Sequence, residues 1–166
     1  ALQTAGANPT VLVGCKLKAL NNFNYSIGKN EYFVLESCEY VDSFLNFPGD
    51  TAIILNIEEE HLDYFKDLDD IKDSFAKFIG IMHENGKLIV NKDDENTEDV
   101  LKLAKNTIEA KNITVYTYST IESNVDMYAT NIIDYQTDFP AIYTEDNDLD
   151  YVVELPDGSV IIFLHQ

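Results

Sequence analysis

Arginine is absent from this chain of 166 residues, and so is tryptophan. Positive charge rests on 11 lysines alone, against 30 aspartates and glutamates, for a net charge of −19. Such a surface repels phosphodiester backbones and anionic lipid, which argues against nucleic acid and membranes as partners. A site that handles phosphate usually clamps it with cations, and this chain can offer only lysine or a bound metal. No apolar run approaches the ~20 residues that span a bilayer, and the N-terminal residues lack the charged-then-apolar pattern of a signal peptide. Cysteine is scarce. Cys15 and Cys38 suit a reduced, cytoplasmic protein better than a disulfide scaffold, and their spacing fits no zinc motif.

What is present is a globular composition, with 45% hydrophobic residues, enough for one packed domain. Gly6 is expected to end a helical turn over the first residues, and residues 11–14 read as a short strand. Residues 16–29 read as a polar, Asn-rich connection. The continuous apolar runs at 32–35 and 52–57 predict central strands covered on both faces. Leu68, Ile71, Phe75 and Phe78 recur at helical spacing behind Asp67, Asp69 and Asp70, acids that favour a first helical turn. A turn at Asn85-Gly86 leads to a strand over 87–90. A second amphipathic helix covers 97–108, with Val100, Leu101, Ala104 and Ile108 inward, and a strand follows over 113–117. This alternation predicts an α/β fold, a mainly parallel open sheet flanked by helices. Segments 127–134, 139–143, 151–155 and 160–164 read as a C-terminal antiparallel meander. The expected organisation is an α/β core over 1–124 and an antiparallel β extension of the same domain over 125–166, with no internal repeat or low-complexity linker.

Two stretches concentrate the chemistry. Residues 31–40 and 51–63 are apolar runs that switch abruptly to carboxylates, and the second adds His61. Ligands bind at the carboxyl ends of parallel strands in open α/β sheets. Oxygen ligands beside one neutral histidine make a seat for Mg2+ or Mn2+. Glu36 at a buried-looking strand end needs a reason, because an unpartnered buried carboxylate is costly; it also reads as an acid in solvent just past the strand. His61 equally reads as a surface residue among acids. Glu58 and Glu59 are solvated loop charges, and Cys38, set between two glutamates, is not read as a nucleophile. His83 faces solvent, His165 supports no inference, and Asp93-Asp94 is most economically a pair of acids before a helix.

The same stretches resemble the central domain of the Mur ligases. Glu36, Cys38, Glu39, Tyr40, Ser43, Phe44 and Leu45 match E-x-C-E-Y-x-x-S-F-L, and residues 56–63 match N-I-x-x-[DE]-H-L-D. Residues 5–14 are similar to A-G-x-[DN]-P-T-x-x-[VI]-G, residues 67–78 to the family's following helix, and 88–94 to its next strand and acidic turn. The resemblance covers roughly residues 1–135.

The resemblance implies an ATP-dependent amino-acid ligase of peptidoglycan precursor synthesis, with Mg2+ (or Mn2+) and ATP as the parent family's cofactors. It places Glu36 and His61 as metal ligands, and Glu60 beside them where the family commonly has aspartate. Glu39 and Asn56 line the cofactor cleft, and no residue is assigned as catalytic. The family's phosphate-cradling G-x-x-x-x-G-K-[ST] does not occur in this sequence. The expectation is that it lies upstream, that the sugar-nucleotide and amino-acid-binding domains are also outside the chain, and that the missing ligase domains are its partners. The chain alone is then expected not to ligate. Two other readings stay open: a non-catalytic acidic protein-binding module, and a metal-dependent hydrolase.

Overall fold

The computed structural model describes residues 2–129, 150–154 and 160–164. Leu2 to Ala7 form a helical turn closed at Gly6, whose φ is +78°. The Ala7 N–H donates to Leu2 O and the Gly6 N–H to Gln3 O, both at 3.0 Å, a pairing that requires a left-handed residue and so favours glycine.

The first sheet is three-stranded, in the order β2-β1-β3, from β1 (Pro9–Leu17), β2 (Phe23–Ser26) and β3 (Lys29–Leu35). Strand β1 runs antiparallel to β2 and parallel to β3. Residues 16–29 are therefore not a plain connection: they contain β2, a 3-10 turn over Lys18–Leu20 and the start of β3. The β2-to-β3 corner is tight enough to demand glycine. A Cβ on Gly28 would overlap the backbone carbonyls of Asn8 and Pro9.

The second sheet has the order β4-β5-β6-β7, built from β4 (Thr51–Ile54), β5 (Lys87–Asn91), β6 (Thr114–Ser119) and β7 (Met127–Tyr128). All three pairings are parallel. Helix α1 (Leu68–Ile81) connects β4 to β5, and α2 (Thr97–Leu103) with α3 (Lys105–Ala110) connects β5 to β6. Helix α1 starts where the sequence predicts, with the Asp67 carboxylate accepting the Asp70 N–H at 3.0 Å. That bond satisfies one of the donors a helix start leaves open. The expected helix over 97–108 is divided at Ala104, although Ala104 and Ile108 still donate to residues four back, both at 2.9 Å. Ile54, Ile71, Ile79, Leu88, Val90 and Val100 are the centre of one apolar cluster between sheet and helices.

Two strand expectations are corrected. The runs at 32–35 and 52–57 are not central: β3 and β4 each stand at an edge of their sheets as described. Tyr32, Phe33 and Val34 are exposed, and β4 alternates, with Ala52 and Ile54 buried and Ile53 exposed. An unbroken apolar run identifies a strand but not how many neighbours cover it. Of the four segments read as a meander, the first contributes β7, parallel to β6 rather than antiparallel. The second lies outside the described residues. The last two pair as expected, β8 (Asp150–Glu154) against β9 (Val160–Leu164), antiparallel.

Candidate metal and nucleotide site

The loops after β3 and β4 converge. After β3, a 3-10 segment over Tyr40–Asn46 contains two successive left-handed residues, Val41 (φ 51°) and Asp42 (φ 55°). Left-handed backbone is unusual for a β-branched residue and persists only where surroundings over-determine it. Here the Asp42 carboxylate accepts hydroxyls from Tyr64, at 2.8 Å, and from Ser74 of α1, while buried Phe44 packs between Phe75 and Phe78.

After β4, His61 is itself left-handed, φ 55°. Its carbonyl accepts the N–H groups of Tyr64 (2.8 Å) and Phe65 (2.9 Å), and Phe65 is buried. The turn therefore fixes the His61 backbone and aims its ring at the other loop. His61 Nε2 lies 3.3 Å from Glu39 Oε1, and the Tyr40 ring covers the imidazole at a centroid distance of 4.6 Å. Tyr40 is held in turn by donating its hydroxyl to Asp63 at 2.7 Å. That hydrogen bond, and then the Asp63 charge, push the Tyr40 phenol up from its ordinary range, so it stays a donor. Both side chains are partly exposed, 35% for His61 and 26% for Glu39, and a contact so solvated contributes about 0–1 kcal/mol. A left-handed non-glycine residue costs roughly 1–2 kcal/mol, so the pair is a poor structural reason for this arrangement.

Among the described residues, Cys38, Glu39 and His61 form a cluster whose ligand atoms lie within 4.8 Å of one another. The structure therefore brings together two of the five expected site residues, Glu39 and His61. Glu36 is outside that cluster; one of its carboxylate oxygens accepts the Gly14 N–H at 2.7 Å, and its own N–H donates to Leu12 O at 2.9 Å. This ties the end of β3 to β1. Asn56 donates its side-chain N–H to Glu58 at 2.9 Å, and Glu60 is exposed with its N–H on Glu58 O. A carboxylate and an imidazole at this separation are a donor set that a divalent cation accepts.

A second group, missed in the sequence beyond the acid pair itself, closes the ends of β5 and β6. Asp94 does stand just before the following helix, accepting the Asn96 N–H and the Thr97 hydroxyl. Asp93 crosses to β6 instead: it accepts the Ser119 hydroxyl, the Thr120 N–H (2.7 Å) and the Thr120 hydroxyl (2.8 Å). Asn96 reaches Ile57 O at 2.8 Å, fixing the end of the β4 loop. Burial, then the charges of Asp93 and Asp94, push the Tyr118 phenol up to about 12. Beside these strand ends lies an open groove of about 380 Å³ lined by Lys92, Asp94, Glu95, Glu98 and Glu122 among others; its acids make it a poor seat for phosphate.

A description of the Mur ligase middle domain matches residues 14–158. The chain belongs to this family. Over 131 residues it is 46% identical to the UDP-N-acetylmuramate–L-alanine ligase of Caldicellulosiruptor saccharolyticus, covering 79% of this chain and 27% of that protein. With the corresponding ligase of Acetivibrio thermocellus the identity is 50% over 95 residues, 57% of this chain and 20% of the relative. The Mur ligase domain here thus spans about a quarter of the first of these relatives. Among solved structures, the fold is similar to a UDP-N-acetylmuramate:L-alanyl-gamma-D-glutamyl-meso-diaminopimelate ligase from Neisseria meningitides. The TM-score is 0.64 at 20% identity, covering 96% of this chain and 47% of that one. It is also similar to a MurF ligase from Thermotoga maritima in complex with ADP, with a TM-score of 0.56 at 17% identity, covering 98% of this chain and 36% of that one. The expected α/β class and Mur ligase resemblance are thereby established. Among the described residues, no helix is long and apolar enough to cross a membrane.

Proposed function

We propose that this chain is the metal- and nucleotide-handling part of a UDP-N-acetylmuramate–L-alanine ligase acting in the cytoplasm in peptidoglycan precursor synthesis. The observation that supports it best is the pairing of Glu39 with a fixed His61, within a chain 46% identical over 131 residues to a ligase of that name. The reaction class is carboxylate activation by ATP followed by attack of the L-alanine amine. A divalent cation, Mg2+ or Mn2+, supplies charge neutralisation on the phosphoryl oxygens when bound.

In this reading the chain's own residues place and orient. His61 and Glu36 are the metal ligands, with Glu60 beside them, and Glu39 with Asn56 line the nucleotide side. Tyr40 keeps the imidazole ring in place, and Asp63 keeps Tyr40 in place. Positioning and electrostatic complementarity supply most of the rate in phosphoryl transfer. The sequence of this chain contains no phosphate cradle, so the isolated chain forms no ATP-dependent product. Its partners are a nucleotide and the other ligase domains. An exposed aromatic surface on the first sheet, Phe23, Tyr25 and Phe33, favours such docking; it also keeps the protein-binding module as the second reading.

Calorimetric titration with Mn2+ and Mg2+, with and without ATP, tests the site. Binding is expected to weaken at least tenfold in a Glu36→Ala/His61→Ala double variant. Unchanged affinity in that variant, or ATP-dependent product from the chain alone, would overturn this reading.

A further inference from the structure

The oxygen-rich reading of the site leaves Cys38 without a role, yet among the described residues its sulfur is one of three ligand atoms that cluster there. Mg2+ does not use thiolate, whereas zinc and its chemical relatives do. Zinc bound by nitrogen and oxygen at about 2.0–2.1 Å in a tetrahedron leaves its ligand atoms about 3.3 Å apart. His61 Nε2 and Glu39 Oε1 stand at 3.3 Å, and the Cys38 sulfur lies within 4.8 Å of both. Cys38 and Glu39 are adjacent in the chain, and the Cys38 carbonyl is pinned by the Ser43 hydroxyl (2.7 Å) and the Phe44 N–H (2.9 Å). The segment carrying two of the donors is thus anchored through buried Phe44, and the third sits under the Tyr40 ring.

We propose that Cys38 Sγ, the Glu39 carboxylate and His61 Nε2 form a site for a thiophilic divalent cation, of which Zn2+ fits best. Three protein ligands leave a fourth position to water, and coordination by the thiol releases its proton to solvent. The site shares His61 with the Mg2+ seat proposed above but does not rest on it. Because one imidazole nitrogen cannot serve both, Zn2+ binding and Mn2+ binding at His61 exclude each other. Zinc at this position acts as an inhibitor of the hard-cation chemistry.

Cobalt(II) substitutes for zinc and reports its ligands by absorption. Co2+ added to the reduced chain is expected to give a sulfur-to-cobalt charge-transfer band and tetrahedral d–d bands, both removed by one equivalent of Zn2+. Cys38→Ser and His61→Asn should each weaken Co2+ binding at least tenfold and abolish the charge-transfer band; Cys15→Ser and His83→Asn should not. In the unmodified chain, Zn2+ should slow alkylation of Cys38 by iodoacetamide at least tenfold while leaving Cys15 unprotected, a readout that needs no variant. No charge-transfer band, a band that survives Cys38→Ser, or equal alkylation of Cys38 with and without Zn2+ would overturn the proposal. Glu36→Ala separates the two readings, since it should weaken Mn2+ binding and leave the Co2+ spectrum unchanged.

Discussion

Leu88→Ala is expected to lower the unfolding free energy by about 2–5 kcal/mol, the range for truncating a buried leucine. The upper half of that range applies because of where Leu88 sits. Strand β5 is hydrogen-bonded in parallel on both sides, to β4 and β6, and Leu88 is fully buried against the helices. Two flanking strands hold the backbone, so the space left by the isobutyl group cannot close. A domain with about 5–15 kcal/mol of stability loses a large fraction of it. Ile53→Ala is the control: it removes a similar side chain from the neighbouring strand, but one that is 58% exposed, so it should cost well under half as much. Urea unfolding should show the midpoint shift at unchanged slope. Equal costs for the two variants would mean that β5 is not the central strand.

Asp93→Ala comes next, with an expected loss of about 2–4 kcal/mol from breaking a hydrogen-bonded cluster around a charge. Ser119 is fully buried. Its hydroxyl donates to Asp93 while accepting the N–H groups of Ile121 (2.9 Å) and Glu122 (2.6 Å). Without Asp93 that hydroxyl loses its acceptor, and the strand-end loop loses its tie to β5. Burial alone would push the Asp93 carboxyl up, but the Ser119 hydroxyl and the Thr120 N–H and hydroxyl outweigh it and hold it below the ordinary range. A group more acidic in the folded than in the unfolded state stabilises the fold above the unfolded value, about pH 4. That contribution is lost as pH falls through the lower folded value. Melting temperatures of the parent and of Asp93→Asn should therefore differ most at neutral pH and converge toward pH 2–3. A gap that widened on acidification would contradict the direction of the shift.

The parallel sheet was legible because its helices announce themselves. Leu68, Ile71, Phe75 and Phe78 repeat at helical spacing, and Asp67, read as one of the acids at the helix start, is its N-cap. Strand β2 was not legible because Phe23, Asn24 and Tyr25 are all exposed, so no buried face imprints an alternating pattern. At the site, the pairing of Glu39 with His61 could be expected only through family resemblance, since composition says nothing about which loops meet. Cys38 was read in the sequence only as a poor nucleophile, because zinc motifs are sought as spacings between cysteines, while the histidine it lies near is on a different loop. Glu36 was singled out as a buried-looking acid, but it stands exposed just past β3, where it accepts the Gly14 N–H.

Strand β4 carries a consequence for handling the protein. Among the described residues it is bonded within its sheet to β5 alone, and Ile53 in it and Leu55 just after it are exposed, the kind of border on which a second molecule can add a strand. Two copies, each of net charge −19, repel one another. That force reaches about 30 Å in 10 mM salt but only about 3 Å at 1 M. The chain should therefore stay dispersed in dilute buffer and self-associate as salt is raised, the reverse of a protein whose contacts are ionic.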